Sequence, residues 1–201
     1  MPTQLLDRPG LERALAEAPS SGPVTLALID VDHFAAINER YGTETGDAVL
    51  RRVERALLGS LPRETSVARI GGDEYAAVFP DHTAESALIL MEEVRAHLAT
   101  PLDGEEPGSI SLSAGLATHP AHVTERGDLV RAADEAVLRA KRDGRGRVAI
   151  HVEERMVLKS NYYSKASLGR LAKLSAAEGR TEASLLREAL DALIDRYRDR
   201  I

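Results

Sequence analysis

Residues 69–75 read Arg69-Ile70-Gly71-Gly72-Asp73-Glu74-Tyr75, and this stretch decides the fold. Two adjacent glycines between the strand-prone runs 66–70 and 75–79 predict a hairpin closed by a two-residue turn, because glycine reaches positive φ without a Cβ clash. The acids that follow then stand at the hairpin tip. Upstream, residues 24–29 form a continuous apolar run that ends in Asp30-Val31-Asp32, which reads as a buried strand with two carboxylates at its carboxyl end. Strand ends of this kind are where α/β sheets place ligands. Asp30, Asp73 and Glu74 together offer the hard oxygen donors that Mg²⁺ takes, with coordination positions left for phosphate oxygens and water.

Working outward, the pattern predicts a strand over 24–30, helices near 33–40 and 45–59, the hairpin over 66–79 and a helix over 84–99. A strand over 109–117, a helix over 128–143 and a short strand over 147–151 follow. This is an α/β (α+β) chain on a ferredoxin-like βαββαβ plan, a sheet with helices packed on it. Asp128 is the expected N-cap of the last of these helices and Gly144 its stop. Residues 101–108, rich in Pro, Gly and acids, read as a mobile loop.

The chain has 201 residues, 26 Lys+Arg against 32 Asp+Glu, and no cysteine. The length suits one domain of about 150 residues plus a small appendage, and the 43% apolar content argues against disorder. Without cysteine there is neither a disulfide nor a thiolate metal site. The first residues lack a signal peptide's basic and apolar regions, and no apolar run approaches the roughly 20 residues that span a bilayer. The expectation is a cytoplasmic protein with no membrane partner.

The sequence resembles the GGDEF-domain diguanylate cyclases, which condense two GTP molecules into cyclic di-GMP. The resemblance rests on Leu28-Ile29-Asp30-Val31-Asp32-His33-Phe34, Ile37-Asn38, Tyr41-Gly42, Thr45-Gly46-Asp47, the stretch 69–75, Ser111-Leu112-Ser113-Ala114-Gly115, and the blocks 132–136 and 140–147. Residues 5–13 are similar to the family's opening segment, so about three quarters of the chain is covered. The resemblance implies that Asp30, Asp73 and the Val31 carbonyl hold Mg²⁺ or Mn²⁺, with Gly71 and Gly72 shaping the substrate site. Glu74 would lie beside the metals and the attacking hydroxyl, and either Asp73 or Glu74 is the candidate base. It assigns guanine reading to Asn38 and Asp47, since a carboxylate accepts from two neighbouring donors that adenine lacks. Lys141 and Arg145 match the phosphate-contacting pair, although a basic last helical turn is also what the macrodipole favours.

The chain departs from the family pattern at several points. Ala35 stands where a phosphate-binding lysine is usual, which predicts weaker GTP affinity or turnover. Thr43, Leu138 and Gly146 replace a usual histidine, tyrosine and asparagine and read as packing or loop variation. The inhibitory product site of the family is an Arg-x-x-Asp whose ends are here Pro62 and Thr65, so feedback through it is expected to be absent.

After residue 152 the text changes. Residues 1–152 carry a balance of −8, residues 153–201 one of +2. A strand-like run, 156–163, precedes two amphipathic helices, the first marked by Leu168, Leu171 and Leu174 and ended by Gly179. The second is striped by Leu185, Leu186, Ala189, Leu190, Leu193, Ile194 and Tyr197. Strand, helix, turn and helix in about 45 residues resemble a ribbon–helix–helix module, which implies domains 1–152 and 153–201 and an intertwined homodimer. So short a segment buries its apolar faces only against a second copy. In that family the paired strands enter the major groove of double-stranded DNA. Lys159 and Asn161 are the candidate base readers by residue type, whereas the family's helix-to-strand offset turns Ser160 and Tyr162 outward instead.

Three classes of function stay open on the sequence. The first is a cyclase with GTP as substrate and cyclic di-GMP as product, dimerised by its tail. The second is a DNA-binding regulator whose first domain senses GTP or cyclic di-GMP without turnover, a reading that Ala35 favours and the retained acids oppose. The third is a structural dimer with a relic site.

Overall fold

The structure, a computed structural model, describes residues 4–19, 21–101, 106–152 and 163–197. The chain divides into two units, Met1–Glu154 and Arg155–Ile201. The first is built on six strands: β1 (Leu5–Leu6), β2 (Val24–Val31), β3 (Ser66–Arg69), β4 (Glu74–Pro80), β5 (Leu112–His119) and β6 (Val148–Ile150). Their order is β1-β3-β4-β2-β5-β6. The central β2 runs antiparallel to β4 and β5, and the outer pairs β1–β3 and β5–β6 are parallel. With α2 (Phe34–Tyr41), α3 (Thr43–Ser60) and α4 (Ala84–Ala99) between them, the four inner strands make the expected βαββαβ plan.

Helices cover both faces of the sheet. Ala27, Ile29 and Val31 of β2 pack with Val53 and Leu57 of α3 and Met91 and Leu98 of α4. Val24, Leu26 and Leu28 pack on the other face with Leu11 of α1 (Arg8–Glu17) and Leu129, Ala133 and Val137 of α5 (Leu129–Arg142). Burial on both faces is why the run is continuously apolar instead of alternating. The phase of the strand also puts Asp30 and Asp32 on the α5 face, where that core ends. At Gly115 a Cβ would lie 2.2 Å from the Ala133 carbonyl oxygen and 2.3 Å from the Val137 nitrogen. Only a glycine there lets α5 rest directly on β5.

Two expectations need correcting and a third needs refining. The hairpin does not close on a two-residue turn: Arg69 pairs with Tyr75, and the Ile70 and Gly71 N–H groups both donate to the Glu74 carbonyl at 2.9 and 3.2 Å. The tip therefore spans residues 70–73, and neither glycine takes a left-handed φ. Room accounts for Gly71 alone: a Cβ there would meet Glu74 Oε2 at 2.5 Å, whereas a Cβ on Gly72 would meet nothing within 4 Å. The strand expected over 109–117 begins at Leu112 because the Ile110 N–H is bonded to Leu98, and the Ser111 carbonyl accepts from Asp32. Asp128 stands at the N-cap of α5 as expected, but its side chain makes no cap bond: it also ends a 3-10 turn, Arg126–Asp128, and its carboxylate reaches Arg131 at 3.6 Å. Gly144, with φ +111°, does follow the helix end.

Arg52, only 6% exposed on α3, donates to the carbonyls of Gly108 at 2.8 Å and Thr100 at 2.9 Å. It neutralises the carboxyl end of α4, the negative pole of that helix.

The second unit contains α6 (Lys165–Glu178) and α7 (Glu182–Arg196). Ser164 caps α6 by accepting from the Ser167 N–H at 3.1 Å, and Gly179, φ +63°, ends it in the left-handed conformation. Arg180 pairs with Glu188. Leu168, Leu174, Leu190, Leu193 and Ile194 are exposed, Leu190 at 55%. Most of the expected strand 156–163, with Lys159 and Asn161, lies outside the described residues, and Tyr163 is not in a strand. Among the described residues no helix is long and apolar enough to cross a membrane.

Candidate active site

The sheet register sets Asp30 directly opposite Glu74 on β4 and opposite Ser113 on β5. The hairpin tip is tied to the end of β2 by the Val31 N–H, which donates to the Asp73 carbonyl at 3.2 Å. From the last turn of α5, the Lys141 Nζ reaches Asp30 Oδ2 at 2.7 Å. Burial pushes the Asp30 carboxyl above its ordinary range; the bond and charge of Lys141 pull it back, and the nearby charges of Asp73 and Asp32 raise it further. Asp30, Asp73, Glu74 and Lys141 are thus gathered at one end of the sheet. Two neighbouring carboxylates under one ammonium favour added positive charge there.

A hydrogen-bonded scaffold, part-buried at Arg69 and Glu54 and buried at Tyr75 and Asp32, holds this end of the sheet in shape. Arg69 donates to the Gly72 carbonyl at 2.6 Å and the Gly71 carbonyl at 3.3 Å, while its Nη1 meets Glu54 Oε1 of α3 at 3.3 Å. The Tyr75 hydroxyl donates to the same Glu54 oxygen at 3.2 Å, and burial together with the Glu54 charge raises its pKa. Asp32 is buried, 0% of its side chain being exposed. Its carboxylate accepts from Ser111 Oγ at 2.6 Å, Ser113 Oγ at 2.8 Å and the Gly146 N–H at 3.0 Å.

Asn38 on α2 and Asp47 on α3 stand on neighbouring helices joined at Gly42, whose φ of +84° makes the turn between them. Gly46 leaves the space that Asn38 uses: a Cβ there would fall 1.8 Å from Asn38 Oδ1. Asn38 is half-buried and Asp47 exposed. Among the described residues no protein group bonds either side chain. Arg145, 45% exposed and with φ +62°, places Nε 4.0 Å from Asp32 Oδ1.

The donor chemistry suits a hard divalent cation. Asp30 and Asp73 supply carboxylates and the end of β2 supplies backbone carbonyls. Among the described residues no three His, Cys, Asp or Glu side chains form a ready cage. An ion such as Mg²⁺ needs one or two protein carboxylates, the rest of its shell being water and substrate phosphates.

Residues 3–147 match the family model described as diguanylate cyclase, GGDEF domain. The chain belongs to this family. It is 37% identical over 132 residues to the diguanylate cyclase DgcP of Pseudomonas aeruginosa, a match covering 64% of this chain and 19% of that protein. To the diguanylate cyclase DosC of Escherichia coli it is 37% identical over 158 residues, covering 74% of this chain and 34% of the relative. The chain thus spans about a third or less of the length of these relatives. Among solved structures it is similar to the GGDEF domain of PA1120 from Pseudomonas aeruginosa, with a TM-score of 0.67, 32% identity, and 74% and 98% of the two chains covered. The GGDEF domain of DgcB from Caulobacter crescentus, solved in complex with c-di-GMP, gives a TM-score of 0.66 at 30% identity over 74% and 92% of the chains.

Within this GGDEF domain the departures gain physical meaning. Gly146 has φ +57°, a conformation that asparagine, the usual residue there, also visits. Ala35 and Leu138 are exposed, so their exchange leaves the core alone. Thr65 is buried at 3% exposure and the Thr65 N–H closes a turn onto the Pro62 carbonyl at 3.1 Å. Sequence reasoning missed the supporting residues Asp32, Ser111, Ser113, Arg69 and Glu54. The Ser111-Leu112-Ser113 alternation, which sends both hydroxyls to one side, was the signal available for two of them.

Proposed function

We propose that the first unit is a diguanylate cyclase that converts two GTP molecules into cyclic di-GMP and two pyrophosphates. The observation that carries this is the Asp30–Lys141 pair at 2.7 Å beside Asp73, carboxylates and an ammonium gathered where a metal-bound triphosphate needs both. Asp30, Asp73 and the Val31 carbonyl would hold Mg²⁺ or Mn²⁺. Such an ion, when bound, neutralises the charge of the departing pyrophosphate and acidifies the attacking hydroxyl.

The residues of this chain do the rest. Asn38 and Asp47 read the guanine edge across the gap kept by Gly46. Gly71 and Gly72 leave the triphosphate room to approach the hairpin backbone, and Lys141 and Arg145 bind its oxygens. The 3′-hydroxyl of one GTP attacks the α-phosphorus of the other, forming the O3′–P bond as the bond to the β-phosphate oxygen breaks. The hydroxyl proton passes to Asp73 or Glu74, and a second, symmetric transfer closes the ring. Each unit holds one GTP, so two copies must face each other.

The tail, residues 153–201, supplies that pairing in this reading as a ribbon–helix–helix-like homodimer. The exposed leucines of α6 and α7 support it, and pairing raises the effective concentration of one half-site for the other. Lys159 and Asn161 are its candidate readers of double-stranded DNA. Replacement of the motif's charged ends by Pro62 and the buried Thr65 supports a cyclase without product feedback at that surface.

The test is to incubate the purified protein with GTP and Mg²⁺ or Mn²⁺ and to separate the nucleotides. Cyclic di-GMP and pyrophosphate are expected, and none from Asp73→Ala. GTP binding without turnover would replace the cyclase with the nucleotide-sensing regulator.

A further inference from the structure

Asp32 takes no part in the proposed chemistry, yet it is the most completely enclosed charged side chain at this end of the sheet. Its carboxylate accepts three hydrogen bonds, two from Ser111 and Ser113 and one from the Gly146 N–H. A buried carboxylate with this many donors is satisfied and fixed. Its own N–H donates to the Ser111 carbonyl at 3.0 Å. The end of β2, the entry to β5 and the turn after α5 therefore meet on one side chain.

The turn after α5 carries Arg145. That residue has a left-handed φ of +62°, which a residue with a Cβ holds only where its surroundings dictate it. Two bonds bracket the turn: the Arg145 N–H donates to the Ala140 carbonyl at 3.0 Å, and the next N–H, that of Gly146, donates to Asp32 Oδ2 at 3.0 Å. The Asp32 charge also stands 4.0 Å from Arg145 Nε. That separation is long enough to orient the guanidinium without capturing it, and the side chain stays 45% exposed. Lys141, by contrast, is held by Asp30 directly.

We propose that Asp32 is a positioning residue that sets the Arg145 turn for the triphosphate, acting through Arg145 without touching the nucleotide. The proposal rests on the phosphate-binding assignment of Arg145 and deepens it.

The test is binding of a non-hydrolysable GTP analogue to the full chain by calorimetry, which reads the site without turnover. Asp32→Asn keeps the size and can still accept from Gly146 while donating to Ser113, but it removes the charge. Arg145→Ala and Asp32→Asn should each weaken binding about tenfold, the scale of one charge-assisted hydrogen bond. The double variant should be no weaker than Arg145→Ala alone, because the two residues act as one unit. Ser113→Ala, which loosens Asp32 on the β5 side, should lower the melting temperature with little change in affinity. Gly146→Ala, which strains the turn without altering the carboxylate, should copy the tenfold loss and also be silent in the Arg145→Ala background, so the proposal is judged even if Asp32→Asn does not fold. Multiplying losses in the double variants, or wild-type binding by a folded Asp32→Asn, would overturn it. So would an Arg145→Ala protein that binds normally. The cyclase reading is judged separately by the turnover of the unmodified chain, so the two can fail independently.

Discussion

Gly115→Ala tests the most demanding contact in the fold. The added methyl group would lie 2.2 Å from the Ala133 carbonyl oxygen, 2.3 Å from the Val137 nitrogen and 2.8 Å from the Ala136 carbonyl carbon. All three are backbone atoms of α5, so no side chain can swing aside. Ordinary contact lies near 3.5 Å, which requires α5 to retreat by about 1 Å. Overpacking of this kind costs roughly 3 kcal/mol, the upper part of the usual range. For a unit of this size that is a fall in melting temperature of about 6–12 °C. The same helix carries Lys141, so the retreat also displaces a site residue, and misplacement by about 1 Å can cost a hundredfold in rate. Scanning calorimetry of the variant beside Gly169→Ala, where a Cβ meets nothing within 4 Å, provides the comparison. A variant that melts with the wild type would refute the direct seating of α5 on β5.

Other outcomes follow from groups described above. Arg52→Met leaves the Gly108 and Thr100 carbonyls without their charged donor and should cost about 2–3 kcal/mol, read as an earlier urea midpoint. His122 accepts the Thr118 N–H on Nδ1 at 3.0 Å, and burial, then the charge of His151, hold its pKa below the ordinary 6.5. Its contribution to stability is therefore complete above pH 6.5 and lost as pH falls through the lowered folded value. Melting curves across that window should slope less for His122→Gln, and an unchanged slope would remove His122 as the cause. Deleting residues 153–201 should turn a dimer into a mostly monomeric GGDEF domain whose specific activity rises steeply with protein concentration. Sedimentation without nucleotide checks this, and an unaltered dimer would place the interface elsewhere.

The elements that sequence reveals are those whose signal is local. The apolar run before Asp30 names β2, and the α4 boundaries fall where Thr83 caps the helix and Thr100 leaves it. At the start, β1 has two residues, too few for a period, and the pattern predicts no element at α1, yet Leu11 of α1 helps to close one face of the sheet. Asp32 was visible as an acid but not as a hub, because its partners lie 79, 81 and 114 residues away and no spacing announces them. Arg52 carries no sequence signal for the same reason, its carbonyl partners lying 56 and 48 residues away. At Gly71 a glycine is expected for its backbone torsion and is explained by steric room instead: the two causes select the same amino acid. Gly46 and Gly115 also reserve space, the first for Asn38 on the preceding helix and the second for the backbone of α5.

The alternation of β2 has a consequence for how the site can fail. Leu26 and Leu28 face one core, Ala27 and Ile29 the other, and Asp30 follows in phase with the first set. A slip of one residue would exchange the two sets and swing Asp30 toward α3 and α4, exposing its charge to apolar packing built for Val31. Such a chain would not settle into a sheet at all. A slipped β2 and misfolding are therefore the same event in this protein, so a preparation that melts cooperatively has Asp30 and Glu74 in register. Inactivity in a folded variant then points to the chemistry of a side chain or to a shifted helix, and not to a displaced strand.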